Sequence, residues 1–435
     1  MNKTETAQQR KARIIHSLSF ASNSAFGVVF PNEDTYGESH RKLQTFVKKV
    51  SNEVLSNSNT QKYIGDDWET VWGPVVYSHD QNSSYAVADN TMGVYYSKTK
   101  KLFVIAIAGT NSISSFGWMK EDFHVNKTAV WKDISGKGMG DISQGTATGL
   151  DVLVHKMQDG NADLLSTLHK FILDKEITSA EVAVTGHSLG GALSPALALY
   201  LSDKKKEWCG NATIQMSTYP TAGPTIGIYP TKNKFKETNN FIKYYNDQIN
   251  NGNIIYESVI NDLDIVPLAW NKDDIAKIPN IYKKYKIKDA SFGTMALIAV
   301  FNTCKKGTLK QYMYKHIKAE TVSGTFNEEI EELLPKVFKT LQPGSILANN
   351  YIPKPLQAYI SNLENLIRYF LQAAYQHTTA YDKLLKIEAF MEQYYNVKKT
   401  VKAEEIENFE TTDQKVLMLA GDALGINLND LSNVN

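Results

Sequence analysis

The stretch EVAVTGHSLGGALSPALALYL, residues 181–201, constrains this chain more than any other. A short apolar run leads into Gly186-His187-Ser188-Leu189-Gly190, and a long run of small and apolar residues follows. Elements this apolar must be buried, which makes the first a core strand and the second a core helix. The glycines two before and two after Ser188 permit a sharp strand-to-helix turn with backbones in near contact. Such a turn strains the serine and exposes its hydroxyl. A serine hydroxyl is a poor nucleophile at neutral pH and needs exposure, a base and donors for a developing oxyanion. The turn supplies the exposure. The Leu189 N–H, at the helix N-terminus, supplies one donor where unsatisfied amides and the helix dipole favour negative charge. His187 adjoins Ser188 in sequence, whereas a base approaches from another loop, so His187 reads as a packing residue.

Strand and helix patterns alternate around this turn from about residue 100 to 270: LFVIAIAG, a helical pattern over 146–174, the turn and its helix, TIQMSTYPTAG, a helical stretch to about 249, and IIYESVI ending at Asn261. Two-sided apolar strands joined by helices predict an α/β fold, a mostly parallel central sheet covered by helices on both faces. MGVYYS and LFVIAIAG predict a hairpin within 85–110, turning at Lys98–Lys101. The expected organisation is an N-terminal helical and loop region over 1–84, an α/β core over 85–270, a helical insertion and candidate cap over 271–370, and C-terminal helices over 371–435 that complete the core. SNSNTQKYIGDDWETVWG reads as a turn-rich connection, 112–142 as irregular, and 280–400 as free of strands.

Lys+Arg 47 against Asp+Glu 46 leaves a net charge of +1, which gives no electrostatic reason for a nucleic-acid partner. The two cysteines, Cys209 and Cys304, make neither a disulfide framework nor a zinc-type spacing, and a single pairing between them stays open. The apolar run MALIAVF at 295–301, which no other exceeds in length, is too short to span a bilayer; it reads as a core helix or as the apolar face of a cap. The N-terminus has no continuous apolar stretch of the secretory kind. The default expectation is therefore cytoplasmic, with processed or leaderless secretion as the main alternative.

VAVTGHSLGGALSPALALYL closely resembles the nucleophile segment of the class 3 lipase family, α/β-hydrolases that include fungal triacylglycerol lipases and plant acyl hydrolases. Upstream, LFVIAIAGTNSISSFGWMKEDF resembles that family's oxyanion strand, with Gly109-Thr110, Trp118 and Asp122 in the matching places. Downstream, ISQGTATGLDVL, STYPTAGPTIG and VINDLDIVPLAW resemble further family segments, the last carrying an acid before x-Val-Pro. The resemblance implies Thr110 as second oxyanion residue, Asp122 as the residue that orients its loop, and Asp264 as the acid of a catalytic triad. Asp262 reads as a turn or capping residue. The family order Ser, Asp, His leaves His316 and His377 eligible among nine histidines, and the context YQHTTAYDKLL favours His377, with Tyr381 four residues on. The chain departs from the family pattern at Ala108 and Gln144, which take no part in acyl chemistry.

The resemblance thus implies a serine carboxylester hydrolase with catalytic Ser188, Asp264 and His377, oxyanion residues Thr110 and Leu189, supporting Asp122, Gly186 and Gly190, and no metal or cofactor. A triacylglycerol lipase or esterase is the leading expectation, with a lipid or other ester as substrate, at a lipid interface if SISSFGWMKEDF is a lid. Phospholipase A1 or feruloyl-type esterase activity belongs to the same chemistry. A catalytically silent binding module on the same fold is the alternative of a different class.

Overall fold

The computed structural model describes residues 5–30, 35–83, 85–111, 114, 124–125, 127–230, 240–285, 287, 312–317, 319–329 and 360–405. Three N-terminal helices open the chain. α1 (Ala7–Ala21) starts in a capping box in which the Thr6 hydroxyl accepts from Gln9 N–H and Gln9 reaches back to the Thr6 N–H. α2 (Tyr36–Ser56) is capped by Thr35, and α3 (Ser58–Ile64) follows it. β1 (Trp68–Tyr77), β2 (Asn90–Ser97) and β3 (Leu102–Ile107) then form an antiparallel meander. β4 (Thr128–Val130) and β5 (Asp141–Ser143) are short, and α4 (Gln144–Asp151) and α5 (Leu164–Asp174) lead into β6 (Ser179–His187). After the elbow come α6 (Leu189–Asp203), β7 (Thr213–Thr221), β8 (Gly227–Pro230), α7 (Phe241–Asn250), β9 (Ile254–Tyr256) and β10 (Val259–Asn261). β11 (Tyr312–Lys315), β12 (Glu320–Val322), α8 (Ile360–His377), α9 (Thr379–Leu384) and α10 (Glu388–Glu405) complete the described chain.

The main sheet runs β1-β2-β3-β6-β7-β10-β12, with β9 beside β7. It is parallel from β3 onward. Alternation along the central strands explains why both faces are covered. Phe103, Ile105, Ile107, Val182 and Val184 enter one core with α5 and α6. Leu102, Val104, Ala106 and Ala183 enter the opposite core with α1, α2 and α10. This is the mostly parallel sheet, covered on both faces, that the apolar strands predict, and the α/β-hydrolase fold that the resemblance implies. A smaller antiparallel sheet, β11-β8-β5-β4, lies apart from it.

Three local expectations are corrected. The sheet begins at Trp68, inside the region expected to hold only helices and loops. Strand β1 survives Gly73-Pro74 because the register shifts there. Side chains from other elements also serve its backbone: Val76 N–H donates to Gln44 Oε1 at 2.8 Å and Gly73 N–H to Asp159 Oδ2 at 3.0 Å. Strands β11 and β12 occupy the stretch expected to be free of strands, because each finds its partner in the core, β8 and β10 respectively. IIYESVI is two short strands, parted where Glu257 N–H turns to Thr218 O.

α1 places His16 in the core, 3% exposed and edge-on to Tyr219. Burial pushes its pKa down to about 4. The unfolded chain binds this proton near the ordinary histidine value of about 6.5, so between those values the unfolded state holds more protons and stability falls as pH falls. Going from pH 7 to pH 5 is expected to cost about 2 kcal/mol through His16 alone. Urea unfolding at the two pH values checks this: His16→Leu should show a smaller drop than the parent by about that amount.

Candidate active site

The elbow forms where β6 ends against β3 and β7. Ser188 has φ 60° and ψ −122°, a strained conformation for a residue with a side chain. Its N–H donates to Thr221 O at 3.0 Å, which ties the turn to the end of β7. A Cβ on Gly186 would stand 2.3 Å from the Gly190 carbonyl, and one on Gly190 would stand 2.3 Å from Ile107 O. The glycines therefore serve close backbone approach: the start of α6 rests directly on the end of β3, beside Gly109 and Thr110.

Ser188, His377 and Asp264 meet in space. Ser188 Oγ–H donates to His377 Nε2 at 2.8 Å, and His377 Nδ1–H donates to Asp264 Oδ2 at 2.9 Å. The tautomer follows from the partners: a carboxylate only accepts, so the ring proton sits on Nδ1 and leaves Nε2 to accept from the serine. Asp264 is buried, with its side chain fully shielded from solvent. It also accepts from Val266 N–H at 3.0 Å and from Tyr381 O–H at 3.0 Å. The Tyr381 oxygen in turn accepts from Asn261 N–H at 3.0 Å. Burial first, and Asp264 beside it, hold the Tyr381 hydroxyl well above its ordinary pKa, so it stays a donor.

His377 is the last residue of α8, and the chain bends at Thr378 before α9. Two side chains fix the junction. Asn261 Nδ2 donates to Gln376 O at 2.9 Å and to Gln376 Oε1 at 2.8 Å, which joins the acid's strand to the histidine's helix. His187 Nε2–H donates to the His377 carbonyl at 2.6 Å, while its Nδ1 accepts from Thr221 Oγ1 at 3.0 Å. Burial, then the neighbouring His377, push the His187 pKa well below the usual range, so it is neutral. His187 thus packs, as its position beside the serine implies, and also holds the backbone of the histidine opposite Ser188.

The other candidates fall as follows. His316 Nε2 is 3.7 Å from Asp274, and burial lowers its pKa. Asp262 accepts from Gly324 N–H at 2.7 Å, a contact between segments 62 residues apart and not the cap of its own turn that the sequence predicts. Thr110 follows Gly109, whose Cα faces Ser188, and Leu189 opens α6. Asp122, the segment SISSFGWMKEDF apart from Ser114, MALIAVF and Cys304 lie outside the described residues; Ser114 is buried and its hydroxyl donates to Asp89 Oδ1 at 2.6 Å. Cys209 is a buried free thiol. Among the described residues no group of His, Cys, Asp and Glu could hold a metal ion, and no helix is long and apolar enough to cross a membrane. Sequence reasoning did not find the parts played by Asn261 and Gln376. Both contacts join positions more than a hundred residues apart, and no local pattern marks them.

Residues 104–273 match the family model described as Lipase (class 3). The structure resembles that of M37 lipase, with 27% identity and a TM-score of 0.58 over 89% of this chain and 99% of that one. Weaker likenesses include a lipase from Rhizopus microsporus var. chinensis, at 15% identity and TM-score 0.39 over 62% of this chain and 71% of that one. Another is the Rhizomucor miehei lipase propeptide complex, at 18% identity and TM-score 0.37 over 61% and 64% of the two chains. At those scores neither carries weight here. No curated protein matches this sequence. The chain carries a class 3 lipase core on an α/β-hydrolase scaffold and is a carboxylic ester hydrolase of the lipase type.

Proposed function

We propose that this hydrolase works through an acyl-enzyme on Ser188, with His377 as base, Asp264 as its orienting acid, and triacylglycerol or a related lipid ester as substrate. The observation that carries the reading is the continuous hydrogen-bond chain from Ser188 Oγ through the His377 ring to the buried Asp264 carboxylate. His377 Nε2 takes the Ser188 proton as Oγ bonds to the ester carbonyl carbon, and the carbonyl pair moves onto oxygen. The Leu189 and Thr110 N–H groups hold that oxyanion. On collapse the C–O bond to the alcohol breaks, and the imidazolium gives its proton to the departing oxygen. Water then repeats the sequence on the acyl group, and His377 again takes and returns the proton. Asp264 stays ionised throughout and stabilises the imidazolium.

Substrate class is tested with p-nitrophenyl esters of rising chain length, emulsified triolein, phosphatidylcholine and methyl ferulate. Release of fatty acid from triolein is the expected outcome. Cleavage confined to phosphatidylcholine would assign a phospholipase A1, and cleavage confined to the ferulate a feruloyl-type esterase. A folded protein that cleaves none of them would reject the catalytic reading in favour of a binding module.

A further inference from the structure

The N-terminal helices lie outside the region that matches the family, yet they reach the elbow. The Phe20 ring, near the end of α1, lies 4.8 Å from the His187 ring. The chain then turns through Ser22–Ala25, where Asn23 leaves helical geometry at φ −78° and ψ 25°. In this turn Asn23 Oδ1 accepts from Gly109 N–H at 2.8 Å, while its Nδ2 donates to Phe20 O at 3.2 Å. Two residues beyond Gly109 the stitching is returned. Asn111 Oδ1 accepts from Gly27 N–H at 3.1 Å, and Asn111 Nδ2 donates to Ala25 O at 3.3 Å and Ala88 O at 3.2 Å. Lys398 of α10 donates to Asn23 O at 3.5 Å and Phe26 O at 3.4 Å, which pins the turn from its other side. The segment Gly109–Asn111 is thus held at both ends by residues 23–27. Its glycine lies against the nucleophile, since a Cβ there would meet His187 O at 3.0 Å and Ser188 Cβ at 3.3 Å.

We infer that Asn23 is a positioning residue for the oxyanion loop: by holding the Gly109 N–H it fixes the Ala108–Gly109 peptide plane, one before the plane that carries the Thr110 N–H, and so sets the start from which the Thr110 donors are aimed at the charge that forms on the substrate. The inference rests on the roles proposed above for Ser188 and Thr110. Oxyanion stabilisation depends on donors already in place when charge develops, and a displacement of about 1 Å can cost 100-fold. Without the Asn23 oxygen the Gly109 N–H has lost its acceptor, and the loop gains a reason to rotate toward another. The loss falls on the tetrahedral state and not on ground-state binding, so it appears in kcat.

The test uses full-length Asn23→Ala and Asn23→Asp with p-nitrophenyl butyrate, melting temperatures, and inhibition by butylboronic acid, which forms a tetrahedral anion on the nucleophile. Asn23→Ala is expected to lower kcat by about 10- to 100-fold, leave KM within about two-fold, and weaken the boronic acid by a factor similar to the kcat loss. Asn23→Asp keeps an acceptor oxygen for the Gly109 N–H but gives up the donor to Phe20 O and adds a negative charge, and is expected to recover about three-fold or more of the kcat that Asn23→Ala loses. An alanine variant with parental kcat would overturn the inference. So would equal loss in both variants, or a kcat loss without weaker boronic acid binding. If the alanine variant does not fold, the aspartate variant decides: a kcat loss there without weaker boronic acid binding overturns the proposal. A parent protein that neither cleaves the ester nor binds the boronic acid would instead indict the catalytic reading itself.

Discussion

Replacing His377 with alanine is expected to lower kcat for p-nitrophenyl butyrate by about 10⁴- to 10⁶-fold, with little change in melting temperature. The ring is the only link between Ser188 Oγ and Asp264 among the described hydrogen bonds, so its loss removes both the proton acceptor and the path to the stabilising carboxylate. Residual activity would come from the oxyanion donors and from substrate binding alone. The fold should survive, because the junction is held by other groups: Asn261 grips Gln376, and Tyr381 bonds Asp264 from α9. Steady-state kinetics beside a thermal melt checks both halves. His316→Ala is the matched control and is expected to retain kcat, since that ring faces Asp274. A His377→Ala enzyme within ten-fold of the parent would mean that another base serves Ser188.

The largest effect on stability is expected at Gly190. An added methyl would overlap Ile107 O at 2.3 Å and Ala108 O at 2.8 Å, and both are backbone atoms at and just past the end of the central strand β3. Relief requires α6 to lift from β3, and α6 is buried along nearly its whole length, Leu193, Leu197 and Leu201 included. Gly190→Ala is therefore expected to cost about 3 kcal/mol or more, at the upper end for overpacking, and to yield a largely insoluble or low-melting protein. Gly37→Ala is a fair comparison. It lies in the first turn of α2, where the nearest neighbour of a new methyl is Thr35 Oγ1 at 3.9 Å. That change should be neutral or stabilising by a few tenths to about 1 kcal/mol. Urea midpoints of the two variants would separate the effects, and a Gly190→Ala protein within 1 kcal/mol of the parent would contradict the close-approach account.

The parts of the fold visible in the sequence are those whose cause is local. β3 is apolar at every position and β6 carries the apolar run Val182–Val184 because both faces of the sheet are covered, and such runs report that directly. The elbow is visible because close backbone approach and a strained serine demand glycines at fixed offsets. β1 was hidden for the opposite reason. Gly73-Pro74 reads as a turn, and only Gln44 and Asp159, distant in sequence, make that backbone tolerable in a strand. β12 owes its conformation to pairing with β10, which no window of sequence contains. The site divides in the same way. Ser188 follows from the turn, whereas Asp264 and His377 needed the resemblance and its chain order. Asn261, Gln376 and Asn23 act through polar contacts between distant segments, and a single asparagine in a helix end or a strand end carries no mark of such a partner.

The most direct measurement of the central claim is reaction of the full-length protein with a fluorophosphonate, followed by intact-mass and peptide mass analysis alongside residual hydrolysis of p-nitrophenyl butyrate. The account predicts one adduct per chain on the Ser188 peptide, hydrolysis that falls in proportion to the labelled fraction, and neither adduct nor hydrolysis in a folded Ser188→Ala protein. An adduct on another residue, or hydrolysis that persists once Ser188 is fully labelled, would contradict it.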